Sequence, residues 1–198
     1  MRYSPEVSEK TPIKELDKVF RGNTFSLKQR FFRLRRTFDI ADEQGNVLMK
    51  AKKKVFAITR QFQLTDKEES KELLSFETRG SIPEMYDVTD GKDKVGVIKH
   101  NPLKSAIHTN WSILSPDGEE VLGTIKRNGV FNYEITTSEG ESVAVMKRQV
   151  SFVGVKLTMQ VQNDDSPIDR RLLVAANVIM AERAAERRNK RKDAAIIG

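Results

Sequence analysis

The sequence predicts a mainly β fold: about twelve antiparallel strands closed into a barrel around a buried, hydrophobic C-terminal helix. Three observations carry this expectation. A pattern recurs about every 24 residues, each copy alternates apolar and polar side chains, and one late segment is apolar on nearly every side.

The repeat is an aromatic residue, a spacer, an aliphatic residue, a turn with Asp or Gly, and an aliphatic stretch ending in Lys. Four copies are clear: Phe38-Asp39-Ile40 to Lys50, Tyr86-Asp87-Val88 to Lys99, Trp111-Ser112-Ile113 to Lys126, and Tyr133-Glu134-Ile135 to Lys147. Two weaker copies start at Phe62 and Leu157, so the leading positions are spaced by 22 to 25 residues. Period-two alternation around an Asp or Gly turn describes a β-hairpin with one buried face. Two strands in each of six units give about twelve, and short connections make neighbours antiparallel. A sheet that wide curls or closes, which removes its edges. A propeller fits less well, because a four-stranded blade takes roughly 40 residues.

The helix is announced by Ser166-Pro167-Ile168-Asp169. Ser166 reads as the N-cap, Pro167 as the first helical residue and Asp169 as a partner of the helix dipole. From Leu172 to Ala181 only Asn177 is polar. A helix hydrophobic all round is buried all round, and this one is too short to span a bilayer. The barrel lumen is the economical place for it, since a twelve-stranded barrel is wider than the eight-stranded kind that side chains alone fill. Leu172, Leu173, Val174, Ala176, Val178, Ile179 and Met180 are its expected core, and Ala175, Ala176 and Ala181 suit a tight lumen. The charged continuation Glu182–Arg188 reads as the helix emerging into solvent. The organisation that follows is an N-terminal extension over 1–23, a barrel domain over 24–182 with its helix at about 167–188, and a basic tail over 189–198. Residues 1–20 and 189–198 are expected to be peripheral.

This order of hairpins followed by Asp169-Arg170-Arg171-Leu172-Leu173-Val174-Ala175-Ala176 resembles the tubby C-terminal-like superfamily. Within it the chain is most similar to the LURP-one-related proteins, with the phospholipid scramblases as relatives. Phe25-Ser26-Leu27-Lys28-Gln29-Arg30-Phe31-Phe32 resembles the opening of LURP-one-related chains, and Phe38 to Val47 resembles their first repeat. The resemblance covers roughly residues 24–182 and implies a twelve-stranded barrel around a hydrophobic C-terminal helix. Tubby domains, similar in fold, bind phosphoinositide head groups through surface Lys and Arg. Scramblases carry acylated cysteines and a long Pro-rich N-terminal region. This chain has no Cys, and its first 23 residues hold only Pro5 and Pro12, which counts against scrambling.

Composition narrows the chemistry. The absence of Cys excludes disulfides, zinc–thiolate sites and thiol catalysis and is compatible with a reducing cytoplasm. Two His exclude a three-histidine metal site. His100 and His108 have no nucleophile or acidic cluster beside them in sequence. Asp90-Gly91-Lys92-Asp93 and Asp117-Gly118-Glu119-Glu120 lack the spacing of a calcium loop and read as hairpin turns. No phosphate-cradling Gly loop or serine elbow occurs. No catalytic residue, metal site or cofactor is assigned. The N-terminus lacks the apolar core of a secretory signal, and no run is long enough for a membrane span.

Charge is the remaining signal. The chain carries 35 Lys+Arg against 28 Asp+Glu, a formal net charge of +7. Residues 21–65 hold eleven basic side chains against three acidic ones, whereas residues 66–182 are net acidic. Alternation turns Arg33 and Arg35 away from Phe32, Leu34, Phe38 and Ile40. It also presents Lys50, Lys52 and Lys54 outward on the next strand; Arg36 falls inward unless a bulge shifts the register. Arg33, Arg35, Lys50, Lys52 and Lys54 are therefore the candidate anion-binding residues. The reading is a non-enzymatic module that docks on anionic phospholipid or phosphoinositide head groups, cytoplasmic and peripheral to the membrane. Nucleic acid is the first rival partner, because its phosphates use the same cations. Against it, the basic stretch lacks the interleaved exposed aromatics of a single-strand binder. An enzyme or lipid transporter using the lumen is the second rival, in conflict with a helix that fills it, and a purely structural or protein-interaction role is the third.

Overall fold

The computed structural model describes residues 18–30, 37–54, 59–80, 84–91, 93–102, 110–129, 132–151 and 154–197. The strands are β1 (Thr24–Arg30), β2 (Thr37–Ala41), β3 (Val47–Lys54), β4 (Gln61–Asp66), β5 (Glu72–Arg79), β6 (Met85–Thr89), β7 (Lys94–His100), β8 (Asn110–Leu114), β9 (Val121–Asn128), β10 (Asn132–Thr137), β11 (Ser142–Ser151) and β12 (Gly154–Val161); the helix α1 is Arg170–Ile197. Each strand pairs with its successor, and β12 returns to β1, so the sheet closes into a barrel. The twelve strands are composed differently from the repeat count. The sixth unit supplies only β12 before the chain enters α1. The missing strand is β1, upstream of the first repeat, which pairs through Leu27↔Leu157 and Leu27↔Ile40.

The repeat has a structural counterpart in its bulges. In all five hairpins from β2–β3 to β10–β11 the register shifts just before the turn. The extra residues are Leu48, Leu73, Val95, Leu122 and Val143. This explains why the stretch after each turn does not alternate: two successive apolar residues both serve the interior. Bulges sharpen the twist and suit the rim of a barrel. Leu73, Val95 and Val143 are buried, and Leu48 and Leu122 pack against the core.

The helix occupies the lumen. Leu172, Leu173, Val174, Ala176, Val178, Ile179 and Met180 are each at most 1% exposed, and Ala175, Ala181, Ala184 and Ala185 are buried with them. The one polar interruption, Asn177, donates from Nδ2 to the carbonyl of Phe25 at 3.2 Å. Two glycines on the inner wall let the helix entry approach closely. A Cβ on Gly123 would lie 2.5 Å from Ile168 Cδ1, and one on Gly96 would lie 2.8 Å from Leu172 Cδ1.

The helix ends differ from expectation. Asp169, not Ser166, is the N-cap: its Oδ1 accepts the Arg171 N–H at 2.8 Å, and its carbonyl accepts the Leu172 N–H at 2.9 Å. Ser166 instead accepts the Ile168 N–H at 3.1 Å in the turn before the helix. At its other end α1 continues to Ile197 rather than stopping near 188. Phe20, in the N-terminal extension, is 3% exposed and belongs to the core, with Val19 packed on it. The end of the extension is therefore part of the fold.

The meander gives the barrel two distinct ends. All five hairpin turns and the entry to α1 lie at one, the turn end. The chain leaves β1, β3, β5, β7, β9 and β11 at the other, where α1 also emerges; this is the exit end.

Candidate anion-binding face

Register sets the outer surface of β11, β12, β1, β2 and β3. Leu27 and Leu157 face the helix, so their neighbours Lys28 and Lys156 face out. These two lysines are directly opposite each other across the β1–β12 pair. Lys147 on β11 lies diagonal to Lys156, because Gln149 is its direct partner. All three are exposed, and among the described residues none forms an ion pair. Like charges placed directly opposite on a sheet destabilise it, so this trio favours an external anion.

The expected residues on β3 sit next to that trio. Lys28 faces Asp39 on β2, and Asp39 faces Lys50 on β3. Arg30 Nε donates to Asp39 Oδ2 at 2.5 Å. Lys50 and Lys52 point outward as the alternation requires, but both reach Glu69 in the β4–β5 turn, Lys50 at 3.2 Å. Glu69 holds a positive φ of 65°, rare for a side chain of its size, which places it at the turn that overhangs β3. The Lys52 hydrogen bond, aided by Lys50, holds the Glu69 carboxyl below its ordinary value against the opposing effect of burial. Lys54 is exposed at the exit end of the strand. Arg33 and Arg35, with Arg36, lie outside the described residues.

Lys53 departs from the outward presentation. It shares the inner phase of Met49 and Ala51 and joins a charged cluster where α1 emerges. Its Nζ is 2.7 Å from Glu182 Oε1 and 3.7 Å from Glu186 Oε1. Arg60 bridges Glu84 at 3.0 Å and Glu186 at 3.5 Å. Arg183 pairs with Glu84 and, at 3.3 Å, with Glu186, and stands 5.7 Å from the Trp111 ring centre. Tyr86 donates to Glu84 at 2.6 Å, and burial pushes its hydroxyl up to about 12 despite the nearby Arg60. Positive and negative groups are interleaved here, so the cluster fastens the helix rather than offering an anion site.

The remaining sequence candidates resolve into structure. His100 packs on Trp111 with ring centres 4.7 Å apart, and burial, then the charge of Arg187, lower its pKa. His108 lies outside the described residues. Asp90 accepts the Asp93 N–H at 3.1 Å and Asp117 the Glu119 N–H at 3.0 Å, as turn carboxylates do. Among the described residues no three His, Cys, Asp or Glu side chains group as a metal site, and no helix is long and apolar enough to cross a membrane.

Lys28, Lys147 and Lys156 escaped the sequence reading for a definable reason. Lys147 and Lys156 lie in the stretch whose carboxylates outnumber its cations, and local counting hid them. The available signal was phase: Lys28 follows the buried Leu27, Lys147 follows the buried Met146 and Lys156 precedes the buried Leu157.

A sequence profile of the LURP-one-related family matches residues 23–181. No curated protein matches the chain. Among solved structures, a protein from Arabidopsis thaliana is similar, with 15% identity, a TM-score of 0.54, and coverage of 81% of this chain and 91% of that one. At that identity the likeness speaks to the fold, and the fold agrees with the barrel and central helix described above. The profile match spans most of the chain, including all twelve strands, the whole β12–α1 connection and α1 as far as Ala181, and the chain belongs to the LURP-one-related family.

Proposed function

We propose that this chain is a non-enzymatic binding module that docks on anionic phospholipid head groups through the outer face of β11, β12, β1 and β3. The observation that carries the reading is the trio Lys28, Lys147 and Lys156, crowded on adjacent strands and without ion pairs among the described residues. Lys54 extends the face, and Lys50 and Lys52 border it in a partly neutralised form. Arg33 and Arg35 belong to the proposal on the sequence pattern alone. A lumen filled by α1 leaves the outer wall as the place for a ligand. Lysines on a rigid wall suit a lipid surface, where each adds about 1 kcal/mol and affinity comes from several together. The reading places the protein at a cytoplasmic membrane surface as a peripheral component.

The test is co-sedimentation with phosphatidylserine-containing vesicles, neutral phosphatidylcholine vesicles and oligonucleotides, each at two salt concentrations. Binding to the anionic vesicles that weakens with salt is the expected result. Stronger binding to oligonucleotides at the same salt would transfer the face to nucleic acid.

A further inference from the structure

We infer that the barrel is electrically polar along its axis and meets an anionic bilayer with its exit end tilted down and its turn end away. This orientation rests on the lipid-docking reading above and adds to it. Every connection at the turn end holds an acid: Glu43, Glu68, Asp93, Glu119, Glu139 and Asp165 each stand at a different one, and all but the β4–β5 turn, where Lys67 and Lys71 balance Glu68 and Glu69, are net acidic. Turn chemistry accounts for Asp in such places but not for Glu. The cations of the turn end are largely engaged by acids there: Arg170 pairs with Asp164, and Arg171 with Asp90 at 2.5 Å and Asp169 at 2.6 Å.

The exit end has the opposite character. Lys54 and Lys126 lie near the exit ends of their strands, with Lys147 and Lys156 in the same half; Arg30 and Arg79 also lie there, paired with Asp39 and Asp87. Of its acids, Glu84, Glu182 and Glu186 are turned onto Lys53, Arg60 and Arg183, and Glu77 accepts from the Thr59 hydroxyl. The helix dipole favours the same polarity, but its influence fades within the first and last turns. It does not explain carboxylates on the outlying turns.

Distance makes the polarity effective. The helical stretch from Arg170 to Arg187 is about 27 Å long at 1.5 Å per residue. The Debye length at physiological salt is about 8 Å. With the exit end down, the acidic rim lies beyond the reach of the membrane's field. Inverted, the same rim would meet it directly.

The chain has no Cys, so single-cysteine labelling is clean. A fluorophore is placed at Gln149→Cys, near the exit end of β11, or at Ser138→Cys, in the turn at the opposite end; both sites are exposed. The full chain is mixed with phosphatidylcholine vesicles carrying phosphatidylserine and a doxyl-quencher lipid. The inference expects loss of emission at 149 and none at 138. Equal quenching at both sites, or stronger quenching at 138, overturns the orientation while leaving lipid docking intact. Failure of the labelled protein to bind the vesicles at all, or its release by an oligonucleotide at the same salt, overturns both.

Discussion

Lys53 Nζ lies 2.7 Å from Glu182 Oε1, joining the inner wall of β3 to the central helix across 129 residues of sequence. Glu182 is 1% exposed. An inward lysine fits this wall only if the helix presents a carboxylate at the same height, so the pair fixes how deep α1 sits. Removing one partner of a buried pair costs about 3 kcal/mol, because the other charge is left buried. Lys53→Met is therefore expected to lower the denaturation midpoint more than Glu182→Gln, since Lys53 is the less buried of the two. The double variant should recover part of the loss. Strictly additive effects in the double-mutant cycle would show that the two residues do not cooperate.

Gly123→Ala should destabilise the barrel by about 2 kcal/mol, the cost of overpacking a filled interior. The added methyl meets the carbonyl oxygen of Thr136 and, at 2.5 Å, Ile168 Cδ1, and a backbone carbonyl cannot move aside as a side-chain tip can. Gly22→Ala is the control, because its nearest neighbour would be 3.6 Å away. Thermal unfolding of both variants decides the point; similar melting temperatures would show that the wall yields.

Acidification should loosen both ends of the helix. At Asp169 burial raises the carboxyl pKa, but the Arg171 side chain, backbone N–H and charge outweigh it and hold the value below 3.8. The unfolded chain takes up that proton first, so this contribution is complete above the ordinary Asp value and is lost as pH falls through the lowered one. His100 acts at milder pH. Burial, then Arg187, depress it below 6.5, so the fold keeps it neutral while the unfolded chain protonates. Its contribution declines as pH drops below 6.5 toward the lowered folded value. Urea midpoints should fall between neutral and mildly acidic pH, and His100→Gln should flatten that decline. An unchanged slope in the variant would assign it to other groups.

Glu69→Gln should tighten binding to anionic vesicles. It releases Lys50 and Lys52 from their shared carboxylate and removes one negative charge from the face. At about 1 kcal/mol per charge near the surface, affinity rises roughly fivefold. Weaker or unchanged vesicle binding would mean that this side of the barrel does not meet the lipid.

Much of the architecture was legible because its physics is periodic. Alternation identified Phe38, Phe62, Tyr86, Trp111 and Tyr133 as inward residues, and all are buried. The all-round apolar run at 172–181 placed the helix inside. What depended on pairing between distant segments was not legible. β1 carries no copy of the repeat and is a strand because β12 and β2 both need a partner. Asp169 is the cap in place of Ser166, and it binds Arg171, which in turn reaches Asp90 beside β6. On the candidate face, alternation oriented Lys50, Lys52 and Lys54 but could not foresee that Glu69 would fold back over the first two. Lys53 followed its phase inward for a partner 129 residues away. The Lys28–Lys156 opposition exists only once the barrel closes.

The most direct measurement of the account is vesicle co-sedimentation of the Lys28→Glu/Lys147→Glu/Lys156→Glu variant against wild type, with Lys71→Glu in the β4–β5 turn as the control. All three substituted positions are exposed strand residues, so circular dichroism and melting temperature should stay close to wild type. The triple variant is expected not to sediment with phosphatidylserine vesicles at a salt concentration where wild type and Lys71→Glu both do. Sedimentation of a folded triple variant at the wild-type level would contradict it.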